Sequence, residues 1–594
     1  MKREIRSGLI AGMAGTGAVI DVGSETFVVP GIDKWRQSDL RVIELKRLSR
    51  RLRKILKGPK EKNPCLQVKR FPRAMFCERC RKLILWQTSF EREDSEPTCP
   101  HAACTGRLVA MRFVVACENG HVDDVDWRYW AHSGRNGDKS CRHRDQLSFI
   151  VDPSASTGGL GSLRARCDKC NSSRSLEDLS NKTLVKEIFS RCSGSHPWIF
   201  GHRDECDADV VVLQRGATNL HYPITISALD IPVEVVESEA SQFADQVKEH
   251  KKYGRLTSLL TSAEGNAQEL VDTFAELIGE SIGCSLATVL EVAMADVEGR
   301  PISGAASSEG ELDQEILLQE EWRTIESSLL AGELLGPNFT ASSEKLAASS
   351  PQWMRRLFNG ILLIHRLREV RAYRGFQRVK PAGQDKIVPP DVGGNQSWLP
   401  ASEVFGEGMV LALDFNTLKA WADQIPSDQQ AKIQELEQKR LEENYYFLPS
   451  VDPIFLAIHT LSHLLIRRIT FECGYSSSSL RERLYFSREH SHAGIMIYTA
   501  DGDSEGSLGG LVRQGREDRL AQSLIEAIGQ GRWCSSDPVC SETAGQGLGG
   551  FNRSACHACS LVSETSCTMA NTLLDRQMLF AENWGLLSFL GEKG

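Results

Sequence analysis

At 594 residues, 41% hydrophobic and 25% charged, the chain has the composition of a folded protein and is too long for one hydrophobic core. Its net charge of −8 conceals an asymmetry, because residues 34–82 hold 18 Lys and Arg against 4 Asp and Glu, which leaves −22 on the remainder. Disorder and a fibrous architecture are excluded, and no run of 18 apolar residues predicts a membrane-spanning helix.

Lys2, Arg3 and Arg6 precede a weakly apolar stretch, 8–20, whose four glycines make it read as folded protein rather than a signal peptide. A short strand is expected at 25–29, closed by the Pro30-Gly31 turn. Residues 38–58 read as a basic amphipathic helix, with Leu45, Leu48, Leu52, Ile55 and Leu56 as its apolar stripe. From 65 to 232, cysteine pairs alternate with short apolar runs at 83–86, 108–115 and 147–151, which suit small β-ribbons held by metal. Residues 234–300 look helical, 302–314 reads as a polar flexible loop, and a further helix is expected from 353 to about 375. A Pro/Gly-rich break at 381–397 precedes a strand at 409–414, a charged helix near 427–444, an apolar helix at 454–469 and a strand at 494–499. A glycine loop follows at 502–510.

This pattern predicts a multidomain α+β protein: zinc-ribbon-like N-terminal modules, a helical middle, and a C-terminal α/β-like domain closed by a four-cysteine zinc site. The expected segments are 1–64 (glycine-rich entry and basic helix), 65–232 (zinc-binding modules), 233–397 (mostly helical) and 398–594 (cysteine-rich).

The cysteines carry most of the chemical signal. Of 18, eleven lie between Cys65 and Cys206 and five between Cys534 and Cys567. Clustered pairs in a long chain point to zinc, whose tetrahedral shell takes thiolate and imidazole, and a two-residue gap lets one turn present two sulfurs. The first expected set is Cys77, Cys80, Cys99 and Cys104. A second joins Cys167 and Cys170 to Cys192 and Cys206. Cys117, His121, Cys141 and His143 offer a third. At the C-terminus, Cys540, Cys556, Cys559 and Cys567 are the expected ligands, with Cys534 as a fifth thiol within reach. His459 and His463 share a helical face, but Thr460 stands where a zinc protease needs its Glu, so they read as core histidines.

Two basic groups are candidate nucleic-acid contacts: Arg47, Arg50, Arg51 and Arg53 in the first basic segment, and Arg371, Arg374 and Arg378 on the helix expected near 353–375. The alternative is a set of internal ion pairs. Asp123, Asp124 and Asp126 form a short acidic cluster that suits a cap or turn better than a nuclease. No phosphate-binding Gly-x4-Gly-Lys loop is present, and no catalytic residues are assigned.

Longer motifs carry a family resemblance. Residues 6–10, 17–21, 30–35, 112–127, 214–220, 227–232 and 367–376 resemble the DrmB family, the helicase-associated, zinc-binding component of bacterial DISARM anti-phage defence systems. The C-terminal stretches 459–465, 494–499, 506–511, 534–540, 556–567 and 571–576 resemble a cysteine-rich domain of unknown function found appended to, or encoded beside, bacterial superfamily-2 helicases. The resemblance spans nearly the whole chain and is weakest across 234–350. It implies a cytoplasmic, non-motor subunit that binds the DISARM helicase DrmA and zinc, and engages phage DNA as part of that complex. A metal-dependent nuclease and a purely structural bridge between defence subunits are the competing expectations.

Overall fold

The computed structural model describes residues 7–592 except 61–64, 93–94, 102, 135–136, 144–145, 154–158, 190, 200, 233–242, 245, 249, 262–266, 299–309, 382, 500–508 and 544. Its architecture turns on a segment the periodicity misreads. Residues 353–375 are not a helix: only Gln352–Leu357 is helical, and Phe358–Gln377 is a 20-residue strand. Helical and strand periodicities were both hidden because the strand is covered on both faces. Ile361 and Leu363 enter one core with Met409 and Leu411, while Leu362 and Ile364 enter another with Val410 and Ala412.

That strand sits in a nine-stranded sheet, with the path Glu333–Leu335, Phe339–Glu344, Phe358–Gln377, Trp398–Leu413, His492–Thr499, Leu480–Ser487. Tyr222–Leu229 pairs with the far end of Phe358–Gln377. Ile55–Pro59 runs parallel to Trp398–Leu413 and pairs in turn with Leu40–Val42. Each of the four segments expected from sequence therefore contributes at least one strand to a single sheet.

Helices cover the two faces. On one lies Pro453–Cys473, capped by Asp452 through the Ile454 N–H, with Pro453 at its first turn. By length and composition this helix passes for a membrane span, but 78% of its most apolar window is buried, so here it is a core helix. On the other face lies Gly310–Ala331, which packs Trp322 and Ile325 against Phe339, Tyr485 and Met496. The flexible loop expected at 302–314 falls outside the described residues through 309, and from Gly310 onward the chain is helical. Tyr253–Thr261, Ala267–Ile282 and Leu286–Glu298 form a helical unit with its own core around Leu256, Ala275, Val289 and Val292.

The first basic segment also departs from expectation. Only Lys46–Leu52 is helical, and Arg53 ends it in the left-handed conformation at φ 49°. The flanking segments are the strands Leu40–Val42 and Ile55–Pro59, and Leu56, with Ile43 just past the first strand, completes a core with Ile226, Val370 and Ala401.

The N-terminal modules contain a six-stranded sheet, ordered Ser173–Ser175, Leu163–Cys167, Leu147–Val151, Lys82–Leu85, Ala74–Cys77, Leu108–Ala110. A three-stranded sheet sets Phe113–Cys117 between Val122–Asp124 and Val210–Gln214. Val114, Trp198 and Leu220 join these modules to Tyr373 and Phe376 of the long strand.

Candidate metal centres

Among the described residues are four groups of Cys, or of Cys with His, whose ligand atoms lie within 4.8 Å of one another and suit a tetrahedral ion. The first is the expected one: Cys77, Cys80, Cys99 and Cys104. Cys77 ends a strand, the chain turns through Cys80, and Arg81 takes the left-handed conformation as its N–H donates back to the Cys77 carbonyl. Sulfur separations are 3.5 Å for Cys77–Cys104 and 3.7 Å for Cys80–Cys99. Gly106 is required here, since a Cβ on it would lie 2.5 Å from the Cys77 sulfur.

The second and third groups rearrange the expected sets. Cys167 and Cys170 repeat the knuckle, with Asn171 left-handed and donating to the Cys167 carbonyl. Their partners are His132 and Cys141, not Cys192 and Cys206. Cys170 lies 3.2 Å from His132 Nε2, and His132 Nδ1 donates to the Arg128 carbonyl at 2.6 Å, which fixes the tautomer. Cys192 and Cys206 instead join Cys117 and His121. There His121 Nδ1 faces the Cys117 sulfur at 3.3 Å while Nε2 points to Asp204, a carboxylate–histidine arrangement that orients the imidazole. His143 belongs to neither group. One site is nested within the other along the chain, so ligand order in sequence does not reveal the pairing; His132, at the end of the helix Trp127–His132, carries no spacing signal at all.

The C-terminal group is Cys534, Cys540, Cys556 and Cys559. Cys534 and Cys556 are 3.5 Å apart and Cys540 and Cys559 3.8 Å. Cys534 thus takes the place expected for Cys567, which lies with His459, His463 and Glu482 on the far side of Ser560. The buried Arg576 backs the site, directing its guanidinium to Asp537, to the carbonyls of Gly531 and Ser554, and toward Cys540.

One thiol in each group is held below the ordinary range. Burial works the other way in all four, and is overcome by backbone N–H groups and neighbouring thiols at Cys77 and Cys556, both near 7, and chiefly by Ser172 at Cys170, near 6. At Cys117, hydrogen bonding from Cys192 prevails over burial and, with His121, brings the thiol down to about 4. Each group therefore has one thiol shifted toward the thiolate, the form that binds metal. Two groups offer four thiolates and two offer three with an imidazole, donor sets that fit zinc.

The expected nucleic-acid contacts are mostly committed internally. Arg47 donates to the Leu229 carbonyl at 2.8 Å and pairs with Glu320 and Glu321, and Arg51 pairs with Glu320. Arg371 is buried against Glu369. Arg378 is fully buried, donating to the carbonyls of Gly17, Gly120 and Leu220 beneath the rings of Trp198 and Phe376. Arg371, Arg374 and Arg378 do not share a helical face, because Phe358–Gln377 is a strand. Arg374 is half-buried, while Arg50 and Arg53 are exposed.

In the acidic cluster, Asp126 caps its helix through the Tyr129 N–H, Asp124 accepts from the Ala74 N–H and Arg73, and Asp123 pairs with Arg203.

Residues 6–222 match a domain of unknown function (DUF8724), and residues 461–560 match the MrfA Zn-binding domain. The first match contains the three N-terminal groups and the second contains Cys534 to Cys559. Over 584 residues the chain is 29% identical to the DISARM protein DrmB of Bacillus paralicheniformis, covering 94% of this chain and 97% of that one.

Proposed function

Since the chain is DrmB-like along nearly its whole length, we propose that it acts as a non-motor accessory subunit of a DISARM defence complex, binding the helicase DrmA in the cytoplasm. The observation that carries this reading is the continuity of the similarity through both cysteine-rich ends. Each of the four donor groups also closes on four protein ligands, so a bound zinc has no open position for water and serves structure. DrmA supplies the motor, and this subunit supplies a rigid platform. The capping and ion-pair contacts of Asp123, Asp124 and Asp126 support a non-enzymatic role over a nuclease.

For DNA, the exposed Arg50 and Arg53 are the proposed contacts within the complex. A purely structural bridge is the second reading, favoured by the internal commitments of Arg47, Arg51, Arg371 and Arg378. Co-expression with the adjacent-locus helicase, followed by size-exclusion chromatography and zinc assay of each peak, tests the assembly. Co-elution with zinc is expected, and separate elution would end the accessory-subunit reading. Arg50→Glu with Arg53→Glu is expected to weaken DNA retention by the complex and flatten its salt dependence. Unchanged retention and salt dependence would favour the structural bridge.

A further inference from the structure

Beside the four-cysteine group lies a second cluster of different chemistry. His459 and His463, one turn apart on the core helix Pro453–Cys473, face Glu482 of the strand Leu480–Ser487 and Cys567 of the C-terminal segment. The side chains of both histidines and of Glu482 have zero exposure, and Cys567 is buried. Such a concentration of polar groups in a core requires compensation.

The hydrogen bonds show what is missing. His459 Nδ1 is 3.1 Å from the Leu573 carbonyl and His463 Nδ1 is 3.0 Å from the Ser560 carbonyl. A carbonyl only accepts, so both Nδ1 atoms carry hydrogen and both Nε2 lone pairs are left facing inward. Glu482 Oε2 accepts from Ser462 Oγ at 2.7 Å. That leaves Glu482 Oε1 opposite His459 Nε2 at 3.0 Å and His463 Nε2 at 3.4 Å, with Cys567 Sγ 3.3 Å from His459 Nε2. His463 Nε2 is buried without an aligned hydrogen-bond partner. With neutral imidazoles, four electron-pair donors converge on one point. Protonating both imidazoles instead would confine two cations with a single carboxylate in a dry core, and His463 would still lack an aligned acceptor.

A divalent cation at that point resolves the conflict. The ligand atoms lie within 4.8 Å of one another, and the three short separations of 3.0–3.4 Å are near the edges of roughly 3.3–3.8 Å that metal–ligand distances of about 2.0–2.3 Å give a tetrahedral zinc site. Glutamate and thiolate together neutralise two positive charges. The surroundings complete a metal-ligand environment: the Met569 and Asn571 N–H groups donate to Cys567 Sγ at 3.3 and 3.4 Å, and each histidine is oriented by a carbonyl. We propose that His459, His463, Glu482 and Cys567 bind a structural zinc ion, fastening the core helix, the strand Leu480–Ser487 and the C-terminal segment together. Ser560 links it to the neighbouring centre, since its carbonyl orients His463 and its hydroxyl donates to Cys559 Sγ at 3.3 Å.

Crystals of the full-length protein, with anomalous data collected above and below the zinc edge, test the site without a variant. A zinc peak is expected central to the four side chains, beside peaks at the four cysteine-rich groups. Zinc at those groups with no peak at the quartet would overturn the proposal, and a peak that persists below the zinc edge would overturn the assignment to zinc. As a solution check, Cys567→Ser is expected to lower zinc by one ion per chain while Cys534→Ser removes a different one, so the double variant loses two. Full zinc retention by folded Cys567→Ser and Glu482→Gln proteins would likewise count against the site.

Discussion

Arg378 directs a fully buried guanidinium at three backbone carbonyls, two of them belonging to glycines in separate N-terminal turns. It acts as a staple between the modules and the long strand, and burial lowers its own pKa to about 9. Arg378→Met removes the donors and strands the carbonyls, at an expected cost of about 3–5 kcal/mol by denaturant unfolding. A DNA-contacting arginine would behave oppositely, leaving stability intact. His221 lies in the same junction, 3.1 Å from the Tyr373 hydroxyl. Burial, with Arg378 nearby, lowers its pKa from 6.5 to about 3. Below pH 6.5 the unfolded chain therefore binds a proton that the folded chain refuses. Stability from this residue is complete above that pH and declines as pH falls toward 3, by about 2 kcal/mol at pH 5. His221→Gln is expected to remove that part of the acid sensitivity, measured as the change in unfolding free energy between pH 7 and pH 5.

Within elements, the Cys-x2-Cys pairs were legible because one tight turn fixes both sulfurs locally, and the turns at Cys77 and Cys167 each close with a left-handed residue, Arg81 and Asn171. What lies across the site was not legible, since His132 and Cys141 reach Cys167 through folding rather than spacing. Gly106 belongs to this level. Gly106→Ala is expected to push the alanine methyl against Cys77 and lower zinc content by one ion per chain in a metal assay, with the other groups unaffected. Strand Phe358–Gln377 shows the limit of periodicity: a strand buried on both faces has no polar side to mark its period, and its arginines read as a helical face only until their carboxylate and carbonyl partners are seen.

Across the whole molecule, the sheet draws strands from residues 40 to 499, so its opening requires many distant contacts to break together. The helical unit Tyr253–Thr261, Ala267–Ile282 and Leu286–Glu298 closes its core locally. Amide exchange is expected to be slowest in Phe358–Gln377 and Trp398–Leu413 and faster by orders of magnitude in 270–298, a contrast that hydrogen-exchange mass spectrometry resolves. Equal protection in the two regions would mean that they unfold as one unit.

The sequence by itself determined the zinc chemistry, the mixed helix and sheet content, the core helix with its two histidines, and the likeness to DrmB, because each is written in local spacing or in long matching motifs. Only the tertiary structure decided which cysteines meet, that Cys534 rather than Cys567 closes the C-terminal group, and that most candidate DNA-binding arginines are internal. Ligand partnership and ion pairing across tens or hundreds of residues depend on where strands align, and strand alignment is set by burial on both faces of a shared sheet rather than by the order of residues along the chain.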